Sequence, residues 1–190
     1  MILGNRIAPS SGIWFCSKKV IAFLLFVLVS SAPCLAQKTP ASPHARLSAV
    51  DHYKPQGFVN DFAGVLDSET KSQLTLICQN LDHTKDVQLA IVTLDTIDGA
   101  SIKDFATQLF NDWGLGHKDT NRGLLVLLAI KDHHYRISTG FGLESVITND
   151  KAAILGREMV PMLHKGEYGH ALVHLAERIQ TEIPEKDKTK

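Results

Sequence analysis

An unbroken apolar run at residues 123–130 (GLLVLLAI) constrains the fold of this chain more than any other segment. Eight residues are too few to cross a bilayer, but they suit a strand that is buried on both faces. Residues 87–94 (VQLAIVTL) form a second run, which is β-branched and mostly apolar. Because such strands occur in sheets covered by helices on both sides, the two runs predict an α/β fold.

Amphipathic patterns between and after these runs predict the helices and the direction of the strands. The pattern between the two runs makes a helical crossover, so the two strands should be parallel. Residues 135–139 (YRIST) alternate and follow a short polar turn, so they should pair antiparallel to residues 123–130. The prediction is a single-domain, three-layer α/β/α sandwich with a mixed sheet. Its helices should begin at the capping residues Asp67 or Ser68, Ser101 and Thr148, with the first ending near Asp82 and a last one at residues 168–183.

The first 36 residues have the pattern of a secretory signal peptide. A basic stretch with Arg6, Lys18 and Lys19 precedes the apolar residues 20–29, and the small residues 30–36 lead to a predicted cut after Ala36. An uncleaved N-terminal anchor is the main alternative, because residues 20–36 are at the short limit for a membrane span. A lipid-modified Cys34 is the third. All three place the protein outside the cytoplasm, in the periplasm or extracellular, with or without attachment to the membrane.

Composition after the signal sets the domain boundaries and excludes some partners. Residues 37–56 are rich in proline and polar residues and predict a linker, residues 57–183 the domain, and residues 184–190 a charged tail. Loss of three basic residues from a balance of 20 against 20 leaves a net charge of −3, which argues against nucleic acid as a partner. Cys78 would be the one remaining cysteine, so no internal disulfide is expected.

Oxygen-bearing side chains concentrate in three predicted loops, at residues 58–66, 114–123 and 140–144. If residues 123–130 and 135–139 pair antiparallel, the second and third loops share one edge of the sheet. That edge would bring Asp119, Asn121 and Glu144 within reach of one another. His170 and His174 stand four apart in the last helix, but they lack a nearby carboxylate and are expected on its polar face.

Four short motifs follow one another over residues 57–183. They are Val59-Asn60-Asp61 with Ala63-Gly64-Val65-Leu66, Phe110 with Trp113-Gly114-Leu115-Gly116, Asn121-Arg122-Gly123-Leu124-Leu125, and Gly140-Phe141-Gly142-Leu143-Glu144. Each motif is weak alone, but in their order and spacing they resemble the TPM domain family. The resemblance implies the same α/β/α sandwich and a protein that is exported or attached to a membrane.

The resemblance implies two different activities. Some members are described as acid phosphatases, and others as divalent-cation binders without phosphatase activity. Two departures bear on this choice: Asn121-Arg122-Gly123 stands where many members have Asp-Asn-Gly, and any anchor is expected at the N-terminus rather than after residue 183. The first removes a carboxylate and adds a cation, which would compete with a bound metal.

Two functions therefore stay open. The first is an exported binding or accessory domain of the cell envelope for membrane-protein assembly or repair, with an envelope membrane protein as partner. It would hold Ca²⁺ or Mg²⁺ on the oxygen ligands Asn60, Asp61, Asp119, Asn121 and Glu144. The second is a metal-assisted acid phosphatase in which Arg122 binds the phosphate, although no nucleophile with a matching base is evident. A simpler interpretation is that Asn60 and Asp61 bond their own turn, and that Glu144 caps a helix or pairs with Arg122.

Overall fold

The computed structural model describes residues 50–185, which lie within one compact unit, residues 41–190. Within residues 50–185, four strands and four helices follow one another, with short 3₁₀ turns at Val50–His52 and Phe141–Leu143. In chain order the elements are β1 (Val59–Asp61), α1 (Ser68–Lys85), β2 (Gln88–Leu94), α2 (Ile102–Asp112), β3 (Gly123–Ala129), β4 (His134–Thr139), α3 (Asn149–His164) and α4 (Tyr168–Glu182).

The four strands form one mixed sheet in the order β1-β2-β3-β4. β1, β2 and β3 are parallel, and β4 pairs antiparallel with β3, as the sequence predicts for β2, β3 and β4. β1 was not predicted, because its three residues are too few to show an alternating pattern. The α/β fold class is therefore confirmed, with one more strand than expected.

Helices cover the sheet on both faces and create two separate cores. Alternate residues of β2 and β3 contact α1, α3 and α4 on one face, and the intervening residues contact α2 on the other. Both crossovers, β1-α1-β2 and β2-α2-β3, advance the sheet in the same direction while their helices lie on opposite faces. One crossover must therefore be left-handed, against the strong preference for right-handed connections.

Side-chain caps fix where three helices begin. Asp67 accepts a hydrogen bond from the Thr70 amide, and Ser101 and Thr148 do the same for the third residues of α2 and α3. The predicted caps are thus confirmed. α1 continues one turn beyond its predicted end at Asp82.

The segment just before the predicted domain start packs against the core. Val50 is buried, and the ring of Tyr53 makes edge contacts with Phe62 and Phe105. The carbonyl of Tyr53 also accepts a 2.9 Å hydrogen bond from the Trp113 indole. Residues 50–53, placed in the linker by composition, therefore complete the core on the α2 face.

The predicted signal peptide or anchor (1–36), the rest of the linker (37–49) and most of the charged tail (186–190) lie outside the described residues. Within residues 50–185, no helix combines the length and hydropathy that a membrane span requires.

Candidate functional site

Asn60, the first predicted ligand, is buried within β1 and holds the turn that precedes it. Its side-chain oxygen accepts a 2.6 Å hydrogen bond from the Gln56 amide, and its side-chain nitrogen donates to the Gly57 carbonyl at 2.9 Å. An amide that accepts from one part of a turn and donates to another acts as an internal brace.

Asp61 closes the turn that follows β1 and uses both of its oxygens to do so. Oδ1 accepts from the Val65 amide at 3.1 Å and the Thr93 hydroxyl at 2.6 Å. Oδ2 accepts from the Leu66 amide at 3.1 Å and pairs with Lys71 Nζ at 2.8 Å. Burial raises the pKa of Asp61, but the hydrogen bonds lower it by more, so this pKa lies below its usual value.

The sheet register separates Asp61 from the other predicted ligands. Asp61 pairs with Thr93 near the carboxyl end of β2, whereas Gly123, which opens β3, pairs with Gln88 at the other end. Five residues of extended chain correspond to about 16 Å. The structure therefore does not bring Asn60 and Asp61 together with Asp119, Asn121 and Glu144.

The second and third loops do meet, at the edge where the parallel strands begin. We call residues 116–123 and 140–144 the amino-edge loops. The Gly140 amide donates to the Gly123 carbonyl at 2.8 Å, and the Gly142 amide donates to the Asn121 carbonyl at 3.1 Å. A Cβ on Gly142 would lie 1.9 Å from the Thr120 carbonyl oxygen, so the two backbones approach as closely as glycine permits.

The amino-edge loops carry three of the predicted ligands, and all three are exposed to solvent. Asp119, Asn121 and Glu144 are exposed, and none of their side chains makes a hydrogen bond or ion pair with another residue between 50 and 185. Asn121 adopts a left-handed backbone conformation at φ 49°, which asparagine tolerates better than most residues. No group of three or more His, Cys, Asp or Glu side chains is placed to hold a metal ion in the described part of the chain.

Two buried polar atoms in these loops have no hydrogen-bond partner in the described part of the chain. They are Nε of Arg122 and Oγ1 of Thr120. The Arg122 stem and the Thr120 carbonyl both lie next to Gly142, so the two residues share one small region. An unfilled buried donor is costly unless a ligand or water supplies its partner.

Sequence reasoning missed a histidine–carboxylate contact at the same edge. His117 Nε2 lies 2.6 Å from Asp82 Oδ1 and 3.9 Å from Asp86 Oδ1. The neighbouring Gly116 amide donates to the Gln88 side chain at 2.7 Å. These contacts fasten the first amino-edge loop to the end of α1 and to the first residue of β2. Because these contacts join residues about 30 positions apart in the sequence, no local sequence pattern predicts them.

The remaining residues singled out by type lie on α1 and α4. Cys78 lies fully buried on the core side of α1, as its helical spacing predicts, and burial raises the pKa of its thiol to about 12. His170 is exposed on α4, whereas His174 is half-buried there and its Nδ1 atom has no hydrogen-bond partner among residues 50–185.

Comparison with known proteins gives a family and several similar folds. The family model described as the TPM domain matches residues 59–182. The N-terminal domain of a P. gingivalis protein, solved by NMR, superposes with a TM-score of 0.62 at 25% identity, covering 74% of this chain and 87% of that one. No curated protein matches the chain.

Two further NMR structures share the fold at lower identity. The N-terminal domain of the cg2496 protein from Corynebacterium glutamicum has a TM-score of 0.58 at 16% identity, with 72% of this chain and 88% of that chain covered. The BA42 protein from Bizionia argentinensis has a TM-score of 0.55 at 15% identity, with 62% and 81% covered.

Proposed function

The chain belongs to the TPM domain family, and on that premise we propose that it is an exported binding module of the cell envelope whose ligand surface is the pair of amino-edge loops. One observation carries the proposal: these loops are held rigidly by backbone contacts, yet Asp119, Asn121 and Glu144 upon them have no partner among residues 50–185. A preorganised backbone lowers the entropic cost of binding.

The ligand that best suits these groups is a divalent cation, Ca²⁺ or Mg²⁺. Two carboxylates, one amide oxygen and the loop carbonyls are hard oxygen donors of the kind both ions take. Arg122 would oppose the ion by charge repulsion. The expected affinity is therefore weak, about 10⁻⁴–10⁻³ M, which is the range of extracellular calcium modules.

An exposed aromatic residue within the same loops is compatible with a protein partner as well. Phe141 is 83% exposed, and aromatic side chains are enriched in protein–protein interfaces relative to the rest of the surface. We propose an envelope membrane protein as that partner, in keeping with a role in membrane-protein assembly or repair.

Calcium titration of residues 41–190, followed by backbone amide shifts, tests the ion site. We expect saturable shifts confined to residues 119–123 and 142–144, loss of these shifts in Asp119→Asn and Glu144→Gln, and tighter binding in Arg122→Gln. Glu177→Gln, which removes an exposed carboxylate from α4, is the matched control and should bind like the wild type. Absence of saturable shifts at millimolar ion would remove the cation from the proposal.

The second candidate function, a phosphatase, is favoured by the buried Arg122 Nε and Thr120 hydroxyl, which lack partners at this edge. Arg122 would bind the phosphate of a phosphomonoester. A generic phosphomonoester assay should then show turnover that falls in both Arg122→Gln and Glu144→Gln. Turnover that persists unchanged in both variants would come from a contaminant.

A further inference from the structure

A pocket opens along the outer edge of the sheet, away from the amino-edge loops. β4 is the last strand in the sheet order, so one of its sides pairs with no strand among residues 50–185. The pocket has a volume of about 630 Å³, and its wall is made by the middle of β4 together with residues of α2 and α3. Ala152 and Ala153 on α3 leave the space open. We call it the β4-edge pocket.

Positive charge dominates this pocket. Lys103 from α2, Arg136 from β4 and Arg157 from α3 line it, and no aspartate or glutamate of the described residues does. None of the three forms an ion pair with a residue between 50 and 185. By contrast, Lys151 on α3 and Arg178 on α4 both do. The remainder of the chain after the predicted signal is net acidic, so the local excess does not follow from overall composition.

The guanidinium of Arg136 also lacks an acceptor that its position requires. Its Nε atom is buried and makes no hydrogen bond to any group in residues 50–185. A buried hydrogen-bond donor without an acceptor carries a desolvation penalty. A ligand oxygen that accepts the hydrogen bond relieves this penalty.

Two helices add their positive ends to the same pocket. Lys103 lies in the first turn of α2, and Asn149 is the first residue of α3. The partial positive charge at a helix N-terminus favours a nearby anion. Each first turn also carries an aspartate, Asp104 in α2 and Asp150 in α3, but neither lines the pocket, so the helix ends reinforce the positive charge of the lining side chains.

We propose that the β4-edge pocket binds a phosphate-bearing ligand. Planar guanidinium groups match the oxygens of a phosphate better than they match a monatomic anion. The volume is that of a small-molecule site rather than of a single ion. Arg136 lies four residues from Gly140, about 13 Å along the strand, so this site is separate from the amino-edge loops and independent of the function proposed for them.

Titration of residues 41–190 with pyrophosphate and with inorganic phosphate, at an ionic strength kept constant with chloride, tests the site. We expect saturable shifts in the amides of residues 135–137 and 149–153 and in the Arg136 Nε–H signal. Arg136→Gln and the more exposed Arg157→Gln should each weaken binding about tenfold. Lys54→Gln, which removes an exposed lysine that has no ion pair among residues 50–185 and lies outside both proposed sites, should change nothing and serves as the control.

Vesicles distinguish a free phosphate compound from a lipid headgroup. Cosedimentation with vesicles that contain phosphatidylglycerol, but not with phosphatidylcholine alone, and its loss in Arg157→Gln would assign the phosphate to a lipid. Saturable shifts with soluble pyrophosphate, without cosedimentation, would assign it to a soluble ligand. The proposal is overturned if neither probe binds, if the shifts gather at Arg122 instead, or if they spread over exposed cations and persist in Arg157→Gln.

Discussion

Replacing Asp61 by asparagine is expected to lower the free energy of unfolding by about 3 kcal/mol. The side chain is 2% exposed and accepts from two backbone amides, one hydroxyl and the Lys71 ammonium. Asparagine offers one acceptor oxygen and turns two donors toward groups that are themselves donors. Since each hydrogen bond to a charged acceptor contributes about 1.5–3 kcal/mol, losing the charge and at least one bond gives the estimate.

Urea unfolding of residues 41–190, followed by far-ultraviolet circular dichroism, measures this change. Asp119→Asn is the matched control, because Asp119 is exposed and has no side-chain partner among residues 50–185. It should alter stability by less than about 0.5 kcal/mol. The pair of variants separates a carboxylate that holds the fold from one that is free to bind a ligand.

The destabilisation should also depend on pH in a defined direction. The folded-state pKa of Asp61 is lowered, so its carboxylate contributes fully above the unfolded-state pKa, about 3.9. That contribution is lost as the pH falls through the folded-state pKa. The difference between wild type and Asp61→Asn should therefore be constant near neutral pH and shrink below about pH 4.

Either of two results would refute this reasoning. One is an Asp61→Asn variant as stable as the wild type that has lost calcium binding, which would make Asp61 a ligand. The other is a stability difference that persists unchanged at pH 2, which would remove the charge as its cause.

Three further predictions concern close packing, the thiol and the domain boundary. Gly142→Ala should cost about 3 kcal/mol or displace the amino-edge loops, because its Cβ would meet the Thr120 carbonyl at 1.9 Å, and thermal unfolding checks this. Cys78 should react with a thiol reagent only as fast as the domain unfolds, since burial raises its pKa to about 12; rapid labelling of the native protein would contradict this. A chain starting at residue 57 should be less stable than one starting at residue 41 by about 2–4 kcal/mol, because it lacks buried Val50 and the Tyr53 ring contacts; equal urea midpoints would count against it.

Local signals in the sequence were sufficient for most of the fold. The apolar runs at residues 87–94 and 123–130 identify two buried strands, and capping residues such as Ser101 and Thr148 mark where helices begin. These features depend on neighbours within a few residues. They can therefore be recognised in the sequence without knowledge of the tertiary structure.

The candidate site was predicted only in part, because it depends on strand order and register. The hairpin of β3 and β4 is local, so its two loops could be placed on one edge in advance. β1 has three residues, which are too few to show an alternating pattern of apolar and polar residues. Only its parallel pairing with β2 places Asp61 at the edge of the sheet opposite the amino-edge loops. The β4-edge pocket is still less visible, because it joins Lys103, Arg136 and Arg157 from three separate elements.

The polar side chains discussed above thus fall into two groups. Some make hydrogen bonds or ion pairs within the fold, and the others do not. Asn60 and Asp61 belong to the first of the four motifs that resemble the TPM family. Their side chains, however, make hydrogen bonds to the backbone of the turns on either side of β1. The side chains of Asp119 and Glu144 at one edge, and of Arg136 at another, make no hydrogen bond or ion pair with residues 50–185. Because internal hydrogen bonds hold Asp61 in place, a ligand would have to break them before it could bind there. The unpaired acidic and basic groups carry no such cost, so binding should be sought at the amino-edge loops and the β4-edge pocket.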